Sequence, residues 1–140
     1  MNDSSVTPWH LLLVPGREDV QSTESFEWQS RVWPLLPRPE PLSRKTFTVS
    51  FDGLFARLAG WVGFYGELDG SFTWRNNEEN WLIEGQALEW EDCLLNLELK
   101  GNAPPKTIEP ILIELGWPTQ PIEMDLLLPG LRISADTWMQ

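Results

Sequence analysis

Two glutamates and a lysine are the residues of this chain whose types and spacing are best suited to chemistry. Glu84, Glu98 and Lys100 fall within residues 81–100, where polar and apolar residues alternate as they do in β-strands. The other polar residues of the same predicted face are Gln86 and Asn96. Two carboxylates and an ammonium group on one sheet surface could hold a metal ion, and they could equally form a solvated face without a chemical role. The elements that carry them determine how closely they approach.

Residues 81–100 are predicted to form a β-hairpin, and the length of its turn sets the register. A two-residue turn at positions 91 and 92 mixes polar and apolar side chains on both faces. A three-residue connection places Glu84 directly opposite Glu98 and makes each face uniform. The second facing pair is then Gln86 and Asn96. The sequence therefore predicts the three-residue connection, or a β-bulge with the same effect. The apolar face of this hairpin would hold Ile83, Ala87, Cys93, Leu95, Leu97 and Leu99.

The predicted pairing brings two negative charges together. Directly opposed residues on a sheet have β-carbons about 5 Å apart. At an effective dielectric constant of 20, two carboxylates at that separation repel by about 3 kcal/mol. An exposed pair tolerates this repulsion, whereas a partly buried pair needs a nearby cation or a raised carboxyl pKa. Lys100 lies two residues from Glu98 on the same face, so its ammonium group is within reach.

The hairpin resembles part of a known family pattern. The run LLNLELKG holds Glu98 and Lys100, and the run WLIEG holds Glu84. Together they resemble the catalytic strands of the PD-(D/E)xK nuclease superfamily, and the resemblance extends over roughly residues 53–128. It implies a Mg²⁺ ion bound by Glu84 and Glu98, with Lys100 positioning the attacking water or stabilising charge.

The pattern of the remaining segments predicts an α+β fold. A single mixed or antiparallel sheet with two short helices is expected, in the order strand, helix, strands, helix, strand. The predicted strands lie at residues 46–51, 61–67, 71–75, 122–128 and 131–134, besides the hairpin. The predicted helices lie at residues 54–59 and 107–115, where apolar residues recur with helical spacing.

The first 43 residues differ from the rest of the chain. Four prolines in the run WPLLPRPEP exclude a helix and favour extended chain. The sequence thus predicts a proline-rich arm at residues 1–43, packed on an α+β domain at residues 44–140, with the whole chain as one globular unit. The run LLLV at residues 11–14 reads as a buried strand within this arm.

The composition limits the compartment and the available chemistry. The start lacks a basic region followed by a long apolar run, so no secretory signal or membrane span is expected, and a cytoplasmic location is predicted. The single cysteine, Cys93, excludes an internal disulfide. The single histidine, His10, argues against catalytic triads and multi-histidine zinc sites.

The formal net charge of −11 and the nine tryptophans favour binding over catalysis. A chain without a basic surface is poorly suited to nucleic acid, whereas a basic protein partner would complement it. We therefore expect a small acidic protein that binds another protein without catalysis and without a cofactor. Two alternatives remain: a Mg²⁺-dependent phosphodiesterase of PD-(D/E)xK type, and an acidic mimic of nucleic acid that blocks a basic protein surface.

Overall fold

The structure is a computed structural model that describes residues 8–39 and 45–140. Its strands are β1 (Trp9–Pro15), β2 (Glu24–Trp28), β3 (Arg31–Leu35), β4 (Phe64–Gly66), β5 (Ser71–Asn76), β6 (Trp81–Trp90), β7 (Cys93–Gly101), β8 (Ile122–Leu126) and β9 (Leu131–Ser134). The ends of the predicted N-terminal arm, residues 1–7 and 40–43, lie outside the described residues.

Seven strands form one antiparallel sheet in the order β4-β5-β6-β7-β1-β8-β9. Strands β2 and β3 form a separate antiparallel hairpin. Strand β1, from the predicted N-terminal arm, pairs with β7 on one side and β8 on the other. The first described strand of the chain is therefore a central strand of the main sheet.

Three short α-helices accompany the sheet in the described residues. They are α1 (Phe51–Leu58), α2 (Glu109–Glu114), which follows a 3₁₀ turn at Pro105–Ile108, and α3 (Ala135–Met139). The predicted α+β class and an antiparallel main sheet are confirmed, but the predictions of a single sheet and of two helices were wrong. No helix in the described parts of the chain is long and apolar enough to cross a membrane.

The structure differs from the sequence-based prediction at α1 and α3, and in both places a serine caps the start of a helix. Ser50 accepts a hydrogen bond from the backbone N–H of Gly53 at 2.9 Å, so α1 begins where a strand was predicted. The predicted strand at residues 46–51 is reduced to an isolated bridge between Ser50 and Cys93. Ser134 caps α3 in the same way, through the N–H of Thr137 at 3.1 Å. Five helical residues are too few to show a periodic pattern in sequence.

The core lies on one face of the main sheet, and all three helices contribute buried side chains to it. Alternate residues along the strands are buried on this inner face, because side chains on a strand point to opposite sides. The residues that are fully buried there include Leu11, Leu13, Ile83, Leu97, Leu99, Leu54, Leu58 and Leu112. Burying each such side chain stabilises the fold by about 1.5–3 kcal/mol. The other face of the sheet carries polar residues, and Glu84, Gln86 and Lys100 are exposed there.

Gly85 is required by close packing on the inner face. It pairs with Phe72, and a β-carbon at position 85 would lie 2.0 Å from the Phe72 ring. We expect Gly85→Ala to lower the free energy of unfolding by about 1–3 kcal/mol, because the ring must move out of a packed core. Chemical denaturation measures this loss. Gly60→Ala is the control, since a β-carbon at position 60 would have its nearest neighbour at 3.7 Å. An equal loss in both variants would contradict the packing argument.

Candidate functional site

The hairpin of β6 and β7 turns through two residues, not three. Glu91 and Asp92 have φ angles of 51° and 67°, and Trp90 pairs with Cys93. Positive φ at both central positions is typical of a type I′ turn. The prediction of a three-residue connection was therefore wrong. The sequence signal was weak because the turn lacks the asparagine and glycine that usually adopt these angles.

A β-bulge restores one polar and one apolar face to this hairpin. Leu88 pairs with Asn96 and Glu89 pairs with Leu94, which leaves Leu95 as the extra residue. The bulge moves Leu94 into the core. Leu95 and Cys93 are partly exposed, so their predicted place on the buried face was wrong. A two-residue turn alone would place polar and apolar side chains on both faces. The extra residue of the bulge shifts the pairing by one position, so that each face becomes uniform again.

The predicted polar residues do share the outer face, but with different partners. Glu84 lies opposite Lys100, and Gln86 lies opposite Glu98. The predicted pairings of Glu84 with Glu98 and of Gln86 with Asn96 were therefore wrong. The two glutamates occupy diagonal positions, where β-carbons are about 7–8 Å apart. Each carboxylate thus faces an amide or an ammonium group instead of the other carboxylate.

His10 completes this polar group and could not be placed by sequence. It lies on β1 opposite Lys100, and its Nε2 contacts a carboxylate oxygen of Glu98. Both side chains are partly exposed. The pairing of β1 with β7 joins residues 88 positions apart, so no local pattern could reveal it.

The polar group does not meet the requirements of a metal site. Among the residues that the structure describes, no three or more histidines, cysteines, aspartates and glutamates are grouped to hold a metal ion. Glu98 is already in contact with His10, and Glu84 lies across from a cation. A Mg²⁺ ion normally needs several oxygen ligands in octahedral geometry. The residues present therefore do not fit the implied ion.

Comparisons of the chain with protein-family models, with curated proteins and with solved structures found no match. The resemblance to the PD-(D/E)xK superfamily thus stays a prediction. The function is therefore inferred from the charged and apolar groups on the surface of the protein.

A second charged group is buried and structural. Glu123, on β8, is 2% exposed and accepts a hydrogen bond from Arg132 at 3.0 Å and another from Arg17 at 2.8 Å. Arg132 also donates to Asp125 at 3.0 Å, and Asp125 accepts from Arg38 at 2.9 Å. Burial by itself raises the pKa of Glu123, but the bonds from the two arginines outweigh burial and lower it. Every charge in the group has a partner, which is typical of a structural network.

A third charged region lies where the β4–β5 and β6–β7 turns meet one end of the sheet, and it is rich in acidic groups. The turn between β6 and β7 contacts the start of α1, where the N–H of Phe51 donates to the carbonyl of Asp92 at 3.3 Å. The turn between β4 and β5 is held to the same end, because Gln86 donates to the carbonyl of Asp69 at 3.0 Å. We call this region the acidic end; its exposed carboxylates belong to Asp52, Glu67, Asp69, Glu89, Glu91 and Asp92.

The six carboxylates of the acidic end form no ion pair with any residue in the part of the chain that the structure describes. Hydrogen bonds from Ser71 to Asp69 stabilise the ionised carboxylate and lower its pKa. Exposed apolar side chains lie among them: Leu68 is fully exposed, Leu88 is 50% exposed and Trp90 is 41% exposed. This mixture of negative charge and exposed apolar groups was not recognised in the sequence, because three separate segments contribute to it.

Proposed function

We propose that this protein is a non-catalytic module that binds another protein through the acidic end. The observation that supports this most directly is the set of six exposed carboxylates, none of them in an ion pair with a described residue, next to three exposed apolar side chains. Paired charges, as around Glu123, stabilise the fold. Unpaired charges of one sign gain their favourable interactions from a partner of opposite charge.

The negative charge and the exposed apolar side chains of the acidic end indicate which kind of protein would bind there. Lysine and arginine side chains on the partner would neutralise the carboxylates and steer association. Leu68, Leu88 and Trp90 would supply the apolar contact that an interface needs at its centre. Nucleic acid is repelled by the same charges. The acidic-mimic alternative is one form of this proposal, in which the basic partner surface normally binds nucleic acid.

Removing three of the six charges of the acidic end is expected to weaken partner capture strongly. The variant Glu67→Gln, Glu89→Gln, Asp92→Asn keeps the shapes of three exposed side chains and removes three charges. We expect its affinity for the partner to fall by about a hundredfold, since each exposed interfacial charge contributes about 1 kcal/mol. The measurement is quantitative capture from an extract of the cells that make the protein, followed by titration of the captured protein at low and high salt.

The matched control removes three exposed acidic charges elsewhere: Glu24→Gln, Glu27→Gln, Glu109→Gln. It changes the net charge by the same amount, so only the location differs. The wild type and the control are expected to capture the same protein, and added salt is expected to weaken the complex. Equal loss of capture in both variants, or binding that salt leaves unchanged, would contradict the proposal.

A further inference from the structure

The opposite end of the same strands carries a concavity lined by aromatic rings. It lies where β5 ends and β6 begins, and it encloses about 1000 Å³. The residues that matter for its chemistry are Trp61, Trp74, Trp81, Arg75, Asn77 and Glu78. Surface sites that bind small molecules are typically concave, with aromatic walls and a few polar groups.

The indoles of the aromatic wall pack on one another and on the neighbouring backbone. The indole ring centroids of Trp61 and Trp74 are 4.9 Å apart, and those of Trp74 and Trp81 are 5.1 Å apart. The Nε1–H of Trp74 donates to the carbonyl of Val62 at 3.2 Å. The N–H of Arg75 donates to the carbonyl of Gly63 at 3.1 Å. A preorganised wall reduces the entropy lost on binding.

The polar groups of the concavity are free to bind a ligand. The guanidinium group of Arg75 and the side chains of Asn77 and Glu78 have no hydrogen-bond partner within the described part of the chain. The other described arginines all donate to a protein oxygen. The Nε1–H of Trp61 likewise lacks an acceptor among the described residues. Donors and an acceptor thus face the same space as the indoles.

The opposite charges of Arg75 and Glu78 disfavour ligands with a large net charge of either sign. An anion would face Glu78 and a protein of net charge −11. A cation would face Arg75 at the same rim. A neutral ligand that donates and accepts hydrogen bonds avoids both penalties. Sugar rings have this chemistry, because their hydroxyls both donate and accept while their C–H groups pack on the electron-rich face of an aromatic ring.

We propose that the concavity binds a neutral carbohydrate, with one sugar ring stacked on Trp61 and its hydroxyls bonded to Arg75, Asn77 and Glu78. This site lies at the far end of the strands from the acidic end, so it does not depend on the proposed function. Loss of partner capture in the acidic-end variant leaves it intact.

The test begins with an array of neutral and anionic oligosaccharides, followed by titration of the best neutral ligand against intrinsic tryptophan fluorescence. We expect saturable binding to a neutral oligosaccharide. Trp61→Ala and Asn77→Ala should each weaken it by about tenfold or more, which corresponds to about 1.4 kcal/mol. Trp61→Phe keeps an aromatic face and should retain most of the affinity.

The matched control is Trp28→Ala, which removes a half-buried indole outside the concavity and should bind the ligand as the wild type does. Thermal unfolding of each variant checks that it is folded, and Asn77 is exposed in a loop, so its variant tests the site even if Trp61→Ala does not fold. Absence of binding to every neutral oligosaccharide on the array, a preference for anionic ones, or unchanged affinity in Asn77→Ala would overturn the proposal.

Discussion

Replacing Glu123 with alanine is expected to lower the free energy of unfolding by about 3–5 kcal/mol, because removing one partner of a buried ion pair leaves the other charge uncompensated. Arg132 is 9% exposed and would keep only its bond to Asp125. Arg17 would lose its carboxylate partner altogether. A loss of this size is a large part of the 5–15 kcal/mol by which a typical domain is stable.

Denaturation by urea with the variant Glu109→Ala as a control tests this expectation. Glu109 is exposed and forms no ion pair with a described residue, so its removal should change the stability by less than about 0.5 kcal/mol. A loss in Glu123→Ala no larger than in Glu109→Ala would show that the buried network does not hold β8 and β9 together.

The same network predicts how stability depends on pH. The pKa of Glu123 is lower in the folded protein than its ordinary value, so its ionised form stabilises the fold at neutral pH. This contribution is fully present above the unfolded pKa of about 4.3, and it is lost as the pH falls through the folded pKa. Glu123→Gln cannot ionise, so its stability should fall less steeply with acid than that of the wild type. Parallel curves for the two proteins would contradict the assignment.

Replacing Gly63 with alanine is expected to have the second large effect. Gly63 has a φ angle of 84°, and a β-carbon there would lie 2.1 Å from the backbone carbonyl oxygen of Arg75. The variant therefore combines an unfavourable backbone conformation with a clash against main chain that cannot move aside. We expect a loss of about 2–5 kcal/mol in stability, and displacement of the loop that carries Trp61.

Gly130→Ala separates the effect of the unfavourable backbone conformation from the effect of the steric clash. Gly130 has a φ angle of 93°, but a β-carbon at that position would meet no atom within 4 Å. The stability of Gly130→Ala should therefore fall only by the cost of the backbone conformation, about 1 kcal/mol. Thermal unfolding gives both values, and near-ultraviolet circular dichroism reports the environment of the tryptophans. Equal losses, with unchanged tryptophan signals in Gly63→Ala, would show that the close approach to β5 is not required.

Local patterns predicted much of the fold. Alternation in the segments around Phe72, Leu97 and Met124 indicated strands, and the apolar spacing from Ile108 to Leu115 indicated a helix. Each of these signals arises within a few residues, where side-chain direction and burial are linked.

The candidate sites depend on features that no local pattern records. The two-residue turn and the bulge at Leu95 together place Glu98 opposite Gln86 instead of Glu84, and a run of leucines does not show where an extra residue is inserted. His10 reaches Glu98 only because β1 inserts between β7 and β8. The acidic end and the aromatic concavity each combine several loops, so they exist only once the strand order is known. Strand order is a long-range property, and it determines which residues become neighbours.

The most direct measurement of the central claim is hydrogen–deuterium exchange of the protein alone and in complex with the protein it captures. Binding through the acidic end predicts slower exchange in residues 67–70 and 89–93, which form its two turns, and no change in residues 76–80 at the other end of the strands. Protection confined to residues outside the acidic end, or a complex that leaves those two turns exchanging as fast as in the free protein, would contradict the account.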